Sequence, residues 1–234
     1  MFPIGDDNSD RTITPIVNYA FIGINVLVFV LLQHLGSNEA FDYAFSLVPR
    51  EITNGVDLAG PQIIQVGSET ARINHYSTPL PVYFNFLSSM FMHGSIMHIL
   101  GNMMFLYVFG DNLENLLGHI RYAAFYIFCG FAAAVAQIAM GPDSIIPMLG
   151  ASGAISGVLG GYLLLFPQRR VRAIIFNFLT EVPAFVAVGL WIVYQVVLGY
   201  LTPAGTGGVA YAAHIGGFVA GLLTIKIFAL GRRV

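Results

Sequence analysis

The chain reads as blocks of apolar residues separated by short polar segments. Ile16 to Leu35 carries no charge, and neither do Met92 to Gly110, Tyr122 to Met140 or Ala151 to Phe166. After Arg169, Arg170 and Arg172 comes an uncharged stretch from Val182 to Ile225, long enough for two crossings, with Thr202 to Gly208 (TPAGTGG) as the turn between them. About 20 mainly apolar residues span a bilayer. The pattern therefore predicts six spans, near residues 16–35, 92–110, 122–140, 151–166, 182–201 and 209–230. The fold class expected is an all-α polytopic bundle, with residues 1–234 forming one membrane-embedded domain.

One connection is long, from residue 36 to residue 90. It mixes Phe41, Phe45, Leu47, Ile63 and Ile64 with Pro, Asn and scattered charge. This predicts a loop with short helices or a hairpin lying against the membrane, too thinly patterned for a separate domain. The leader MFPIGDDNSDR is acidic, and no small-residue cleavage site follows the first apolar run, which reads as a span rather than a signal peptide.

Composition sharpens this picture. Hydrophobic residues make up 56% of the 234 and charged residues 9%. A soluble domain carries about 25% charge because it has a wet surface to cover. A cytosolic globular enzyme, a disordered chain and a nucleic-acid binder are excluded. The single cysteine, Cys129, excludes a disulfide framework and a cysteine-ligated zinc site.

Loop charge sets an expected orientation. Arg11, Arg121, Arg169, Arg170, Arg172, Lys226, Arg232 and Arg233 fall on one side of six spans, and only Arg50 and Arg72 on the other. The positive-inside rule puts both termini in the cytoplasm and the long loop outside. Spans two, four and six then begin at the outer face.

Polar groups are costly in hydrocarbon and invite a functional reading. His93, His98 and Asn102 open span two, Ser152 opens span four, and His214 lies near the start of span six, so all gather toward the outer leaflet. Ser152 sits in Gly150-Ala151-Ser152-Gly153 at a helix N-terminus, where free N–H groups and the helix dipole favour an oxyanion. Small residues in membrane helices also serve plain packing. Span four is short, about 24 Å for 16 residues, which recesses its outer end where water can reach it. Gly153, Gly157 and Gly161 form one stripe, and Gly217 and Gly221 another. If the stripes pack together, Ser152 and His214 come within hydrogen-bond reach, and His214 can act as general base to a Ser152 nucleophile. Without Ser152, His214 reads first as a membrane histidine bonded to a backbone carbonyl; the serine and both stripes turn the reading to the dyad.

His98 and Asn102 share a helix face and can donate, with the Ser152 backbone N–H, to an oxyanion; interhelical packing is the other reading of this pair. His93 and His98, five apart, do not share a face, and no acidic residue accompanies them, which argues against a metal site. Asp111 and Glu114 fall beside Arg121 at the inner end of span two as an expected ion pair or helix-end anchor. No acidic residue lies at outer depth to orient His214.

Together these segments resemble the rhomboid family of intramembrane serine proteases over nearly the whole chain. The likeness rests on His93-x4-His98-x3-Asn102, on Phe109 to Gly118 (FGDNLENLLG), on Gly150-Ala151-Ser152-Gly153 and on Ala213-His214 followed by Gly217-x3-Gly221. The resemblance implies a six-helix rhomboid-like bundle with a Ser152–His214 dyad in a cavity open to the outside. His98, Asn102 and the Ser152 backbone are the implied oxyanion donors, and His93, Gly150, Gly153, Gly217 and Gly221 the supporting residues. It implies cleavage of single-pass membrane proteins in or near their transmembrane helix, with membrane lipid as the other partner, no nucleic acid, no metal and no cofactor. The expected location is a bacterial inner membrane with the site facing outward.

Two positions depart from the family's common pattern. Phe84-Asn85 stands where many members carry Trp-Arg, which predicts a different anchoring of the first loop. Ser156 stands where many members carry an aromatic ring against which the histidine stacks, which leaves the ring to a hydrogen bond at most. Two further function classes stay open. One is a rhomboid-like protein that binds membrane helices without cutting them. The other is a transporter or channel, which predicts polar residues along a path to both faces.

Overall fold

The computed structural model describes residues 2–66, 69–175, 178–202 and 209–232. Helix α1 (Ile16–Leu27) runs on through a π-helical turn, Val28–Leu32, and leaves the helical path at His34 and Leu35, both at positive φ. The first loop then builds α2 (Glu39–Phe45), α3 (Pro49–Asn54), a hairpin of β2 (Gly60–Val66) and β3 (Glu69–His75), and a single turn, α4 (Asn85–Ser88). Short helices and a hairpin are both present, as the mixed pattern of this segment predicts. Asn85 explains the anchoring: its buried amide donates to the carbonyls of Ala44 and Ser46, at 3.3 and 2.9 Å, tying the loop to α4.

Helix α5 (Ile96–Leu117) begins four residues later than expected and ends seven later. Its start is set by Ser95, whose hydroxyl accepts the His98 N–H at 3.2 Å, a side-chain N-cap. Its extension past Gly110 is possible because the polar residues there find partners. Only Gly118, at φ +77, separates it from α6 (His119–Met140). The remaining helices are α7 (Ser152–Leu165), α8 (Ala184–Leu201) and α9 (Tyr211–Phe228). Among the described residues α6, α8 and α9 are each long and apolar enough to cross a membrane; α1 with its π turn and α7 are shorter apolar helices. The predicted turn after span five lies, beyond Thr202, outside the described residues.

The chain is mostly helical rather than all-α. Strand β1 (Phe2–Asp6) pairs antiparallel with β4 (Arg170–Ile175), which pairs with β5 (Phe178–Pro183). The period-two signal is there: Val171 and Ala173 are buried, while Arg172 and Ile174 alternate with them in solvent. It is easily passed over in so short a run beside a basic cluster.

Helix α7 is the axis of the packing. Every residue from Gly153 to Tyr162 is buried, against α5, α6 and α9. The glycine stripes do meet. A methyl group on Gly217 would come to 2.1 Å from the Gly153 carbonyl oxygen, and one on Gly221 to 2.0 Å from that of Gly157. Gly161 faces Ile225 and Phe125 instead. Helix α8 is peripheral: only Ala184, Ala187, Val188 and Gln195 are buried, and Leu190, Val193, Val197 and Tyr200 face outward.

The acidic residues of α5 find other partners than Arg121. Glu114 is fully buried and accepts the N–H groups of Val17 and Asn18 at 2.9 and 2.7 Å, capping the first turn of α1, while His119 binds it from the side. Asp111 pairs with Arg11. Arg121 turns away and donates to the Phe228 and Leu230 carbonyls at the end of α9. Asp6, on β1, accepts from Tyr162 on α7 and Asn112 on α5, and Arg169 binds Asp10 and Asn112. A shared polar network thus ties five elements together at one end of the bundle, the end that carries most of the basic loop residues.

Candidate active site

The opposite end of α7 is built differently. The segment before it is pinned by backbone bonds: Leu47 and Met148 exchange both N–H···O bonds, and the Gly150 N–H donates to the Ser89 carbonyl at 2.8 Å. The chain then turns at Gly150, whose φ of +137 disfavours a side chain. Ser152 follows as the first residue of α7. The first helical bond runs from the Ile155 N–H to the Ala151 carbonyl at 3.0 Å, so the preceding N–H groups point out of the helix end.

Helix α9 brings His214 to this point because its glycines allow close approach to α7. The Nε2 of His214 lies 2.7 Å from the Ser152 hydroxyl oxygen. Its other nitrogen, Nδ1, lies 2.8 Å from the side-chain oxygen of Gln195 on α8. The imidazole also has Trp191 and Tyr211 beside it, with ring centroids at 6.1 and 6.5 Å. A cavity of about 660 Å³ opens over the pair, walled by Ser152, His214, His98, Met148 and Ala210 among others.

His98 stands across from Ser152. A methyl group on Gly150 would fall 3.0 Å from the His98 Nε2 and 3.5 Å from the Ser152 hydroxyl oxygen. The absence of that methyl leaves a small space flanked by both groups. The His98 Nδ1 accepts the Gly94 N–H in a long bond of 3.5 Å, an arrangement that favours the ring proton on Nε2, the nitrogen on the Gly150 side.

Asn102 is placed deeper. Its amide lies 2.8 Å from the His93 Nε2, and neither Asn102 nor His93 is part of the cavity wall. His93 and His98 are nearer than their spacing on a continuous helix implies, with ring centroids 5.0 Å apart. The reason is the late start of α5: His93 belongs to the turn before the helix, not to the helix. That turn is clamped by the buried Gln33, which accepts the His93 N–H at 2.8 Å and donates to its carbonyl at 2.9 Å.

The Ser156 hydroxyl does not bond the histidine. It is fully buried, and its hydroxyl donates to the Ser152 carbonyl one turn back at 2.6 Å. The residues at the imidazole that sequence reasoning passed over are Gln195, Trp191 and Tyr211. Gln195 left a signal: it is the one side-chain amide in span five, where an unpaired amide is costly.

Comparison with known proteins fits this geometry. Residues 81–230 match the model of the Rhomboid domain. The chain belongs to the rhomboid family. It is similar to Rhomboid protein 1, mitochondrial, of Saccharomyces cerevisiae, at 28% identity over 88% of this chain and 51% of that protein. It is also similar to RHOMBOID-like protein 4 of Arabidopsis thaliana, at 32% identity over 87% of this chain and 50% of that protein. Rhomboid-related protein 2 of Mus musculus is 29% identical over 59% of this chain and 46% of that protein. The chain spans about half the length of these curated relatives. Family and apolar helices together make this rhomboid protein an integral membrane protein. These three relatives are eukaryotic, one of them mitochondrial by name, and lend no support to a bacterial inner membrane.

Proposed function

We propose that this protein is an intramembrane serine endopeptidase that hydrolyses a peptide bond in or near the transmembrane helix of a single-pass membrane protein. The observation that carries the reading is the 2.7 Å contact between the His214 Nε2 and the Ser152 hydroxyl, at the floor of a cavity. In the proposed topology six helices cross the membrane, α1 and α5 to α9, with both termini on the cytoplasmic side. The dyad then lies at outer-leaflet depth, where the short α7 leaves room for water.

The chemistry follows from the geometry. As the Ser152 oxygen bonds to the substrate carbonyl carbon, its proton passes to the His214 Nε2. The carbonyl oxygen becomes an oxyanion in the space beside Gly150, in reach of the His98 Nε2–H and the Ser152 N–H, with Asn102 as the third expected donor. Collapse breaks the carbon–nitrogen bond, and the proton on Nε2 goes to the leaving amine. Water then attacks the acyl-serine, giving its proton to Nε2, and Ser152 recovers a proton as the carboxylic acid departs. A second, small cavity of about 30 Å³ beside Ser152, lined by Gly130, Ala133, Gly153 and Ala154 among others, favours a small side chain next to the bond cut.

A fluorophosphonate probe tests this reading without knowledge of the substrate. Wild type labels at serine, and folded Ser152→Ala and His214→Ala variants do not. Removal of either group costs at least about 10³-fold in rate. Equal labelling of Ser152→Ala and wild type overturns the assignment of the nucleophile.

A further inference from the structure

We infer that Gln195 is the positioning residue of the dyad: its side-chain oxygen accepts the His214 Nδ1 proton and so holds the imidazole in the one tautomer that can serve Ser152. The inference rests on the Ser152–His214 reading.

A neutral imidazole carries one ring proton, and only the nitrogen without it can accept. For His214 to take the Ser152 proton, its own must sit on Nδ1. An oxygen 2.8 Å from Nδ1 selects that state, because it can accept there and cannot donate. Gln195 is itself buried, 7% exposed, and stands one turn beyond Trp191 on the same face of α8, so ring and amide are held by one rigid element. Ser156 cannot hold the ring in its place, because it spends its hydroxyl on the Ser152 carbonyl, and among the described residues no acidic side chain bonds Nδ1. Trp191 lies tilted at 40° and Tyr211 edge-on at 86°, so neither ring stacks flat on the imidazole. An amide supplies direction without charge. It orients the ring but adds no carboxylate to stabilise the imidazolium, so its contribution should be smaller than that of an aspartate in a triad.

The test is the rate of inactivation by a fluorophosphonate, resolved into kinact and KI, for wild type, Gln195→Leu, Gln195→Asn and Gln195→Glu, with Ser152→Ala and His214→Ala alongside. Leucine removes the acceptor, and asparagine is too short by one methylene to reach. Both should lower kinact by about 10- to 100-fold, as a misdirected catalytic group does, with KI unchanged. Glutamate restores the acceptor and most of the rate, a rescue that a packing role would not predict. In 15N-histidine spectra the wild type holds the Nδ1–H tautomer of His214, and Gln195→Leu loses it. Wild-type rates for a folded Gln195→Leu or Gln195→Asn overturn the inference while leaving the dyad intact. So does a Gln195→Glu variant as slow as Gln195→Asn. If instead Ser152→Ala and His214→Ala label like wild type, the dyad falls, and the inference with it.

Discussion

The two ends of α7 put similar residues to opposite uses. At one end Tyr162, Asp6, Asn112 and Arg169 bond to one another, and Glu114 and Asp111 close the same network around the first turn of α1. At the other end Ser152 and His214 pair with each other, Gln195 holds the far side of the imidazole, and Ser152, His214 and His98 all wall an open cavity. Burial with full pairing makes polar groups into fasteners, whereas burial with an open side leaves them free to meet a substrate. Substitutions at the first end should therefore cost stability, and those at the second should cost rate.

The sharpest way to break this contrast is Glu114→Ala. The carboxylate accepts two N–H groups of α1 and binds His119 while fully buried. Its removal strands two backbone donors and breaks the pair with His119, a loss of about 3–5 kcal/mol. Thermal unfolding in detergent should show a large fall in Tm. The fluorophosphonate rate, measured well below that Tm, should stay near wild type. A dead but fully stable variant would mean that the inner end acts on the chemistry and not only on the fold.

Gly221→Ala sharpens the contrast from the middle of the helix pair. Its methyl would meet the Gly157 carbonyl oxygen at 2.0 Å, and backbone cannot step aside as a side chain can. Helices α7 and α9 must part, at a cost of about 1–3 kcal/mol. Here stability and rate should fall together, since the same contact sets the distance from His214 to Ser152. Gly189 on α8 has nothing within 4 Å of a methyl, so Gly189→Ala should be neutral or slightly stabilising in the same assays.

The parts of this molecule that could be read before folding are those in which one residue type does one thing. Ser152, His214 and the stripe pairs Gly153–Gly217 and Gly157–Gly221 were legible because polarity and small size are both conspicuous in apolar helices. Residues whose meaning depends on a distant segment were not. Glu114 looked like a neighbour of Arg121 in sequence, but it caps a helix that starts 98 residues earlier at Ile16. His93 and His98 looked separated until α5 was found to start at Ile96. Gln195 gave a cost signal without an address: that its oxygen would meet Nδ1 follows only from how α8 leans on α9. The sheet of β1, β4 and β5 went unread because three short strands carry little periodicity each, and the pairing of β1 with β4 joins residues more than 160 apart.

A milder loss concerns Asp6, which sits on the edge strand β1 and outside the spans. Burial is the main force on its carboxyl and lifts it from about 3.8 to about 7, with Asp111 adding to the rise and the Tyr162 hydroxyl, Arg169 and Asn112 opposing it. A carboxyl raised on folding binds its proton more tightly in the folded state. The stabilisation is therefore complete below about pH 3.8 and is lost as pH climbs through about 7. Since β1 is an edge strand, it can undock alone, and the bundle should lose little: about 2 °C in Tm between pH 5 and pH 8. Amide exchange on β1, corrected for its intrinsic pH dependence, should show the effect clearly, with protection falling over that interval. Asp6→Asn keeps an acceptor for Tyr162 and has no proton to lose, so its β1 protection should be flat with pH. A wild type equally flat would place Asp6 among the ionised fasteners, and the inner end would then be closed by charge throughout.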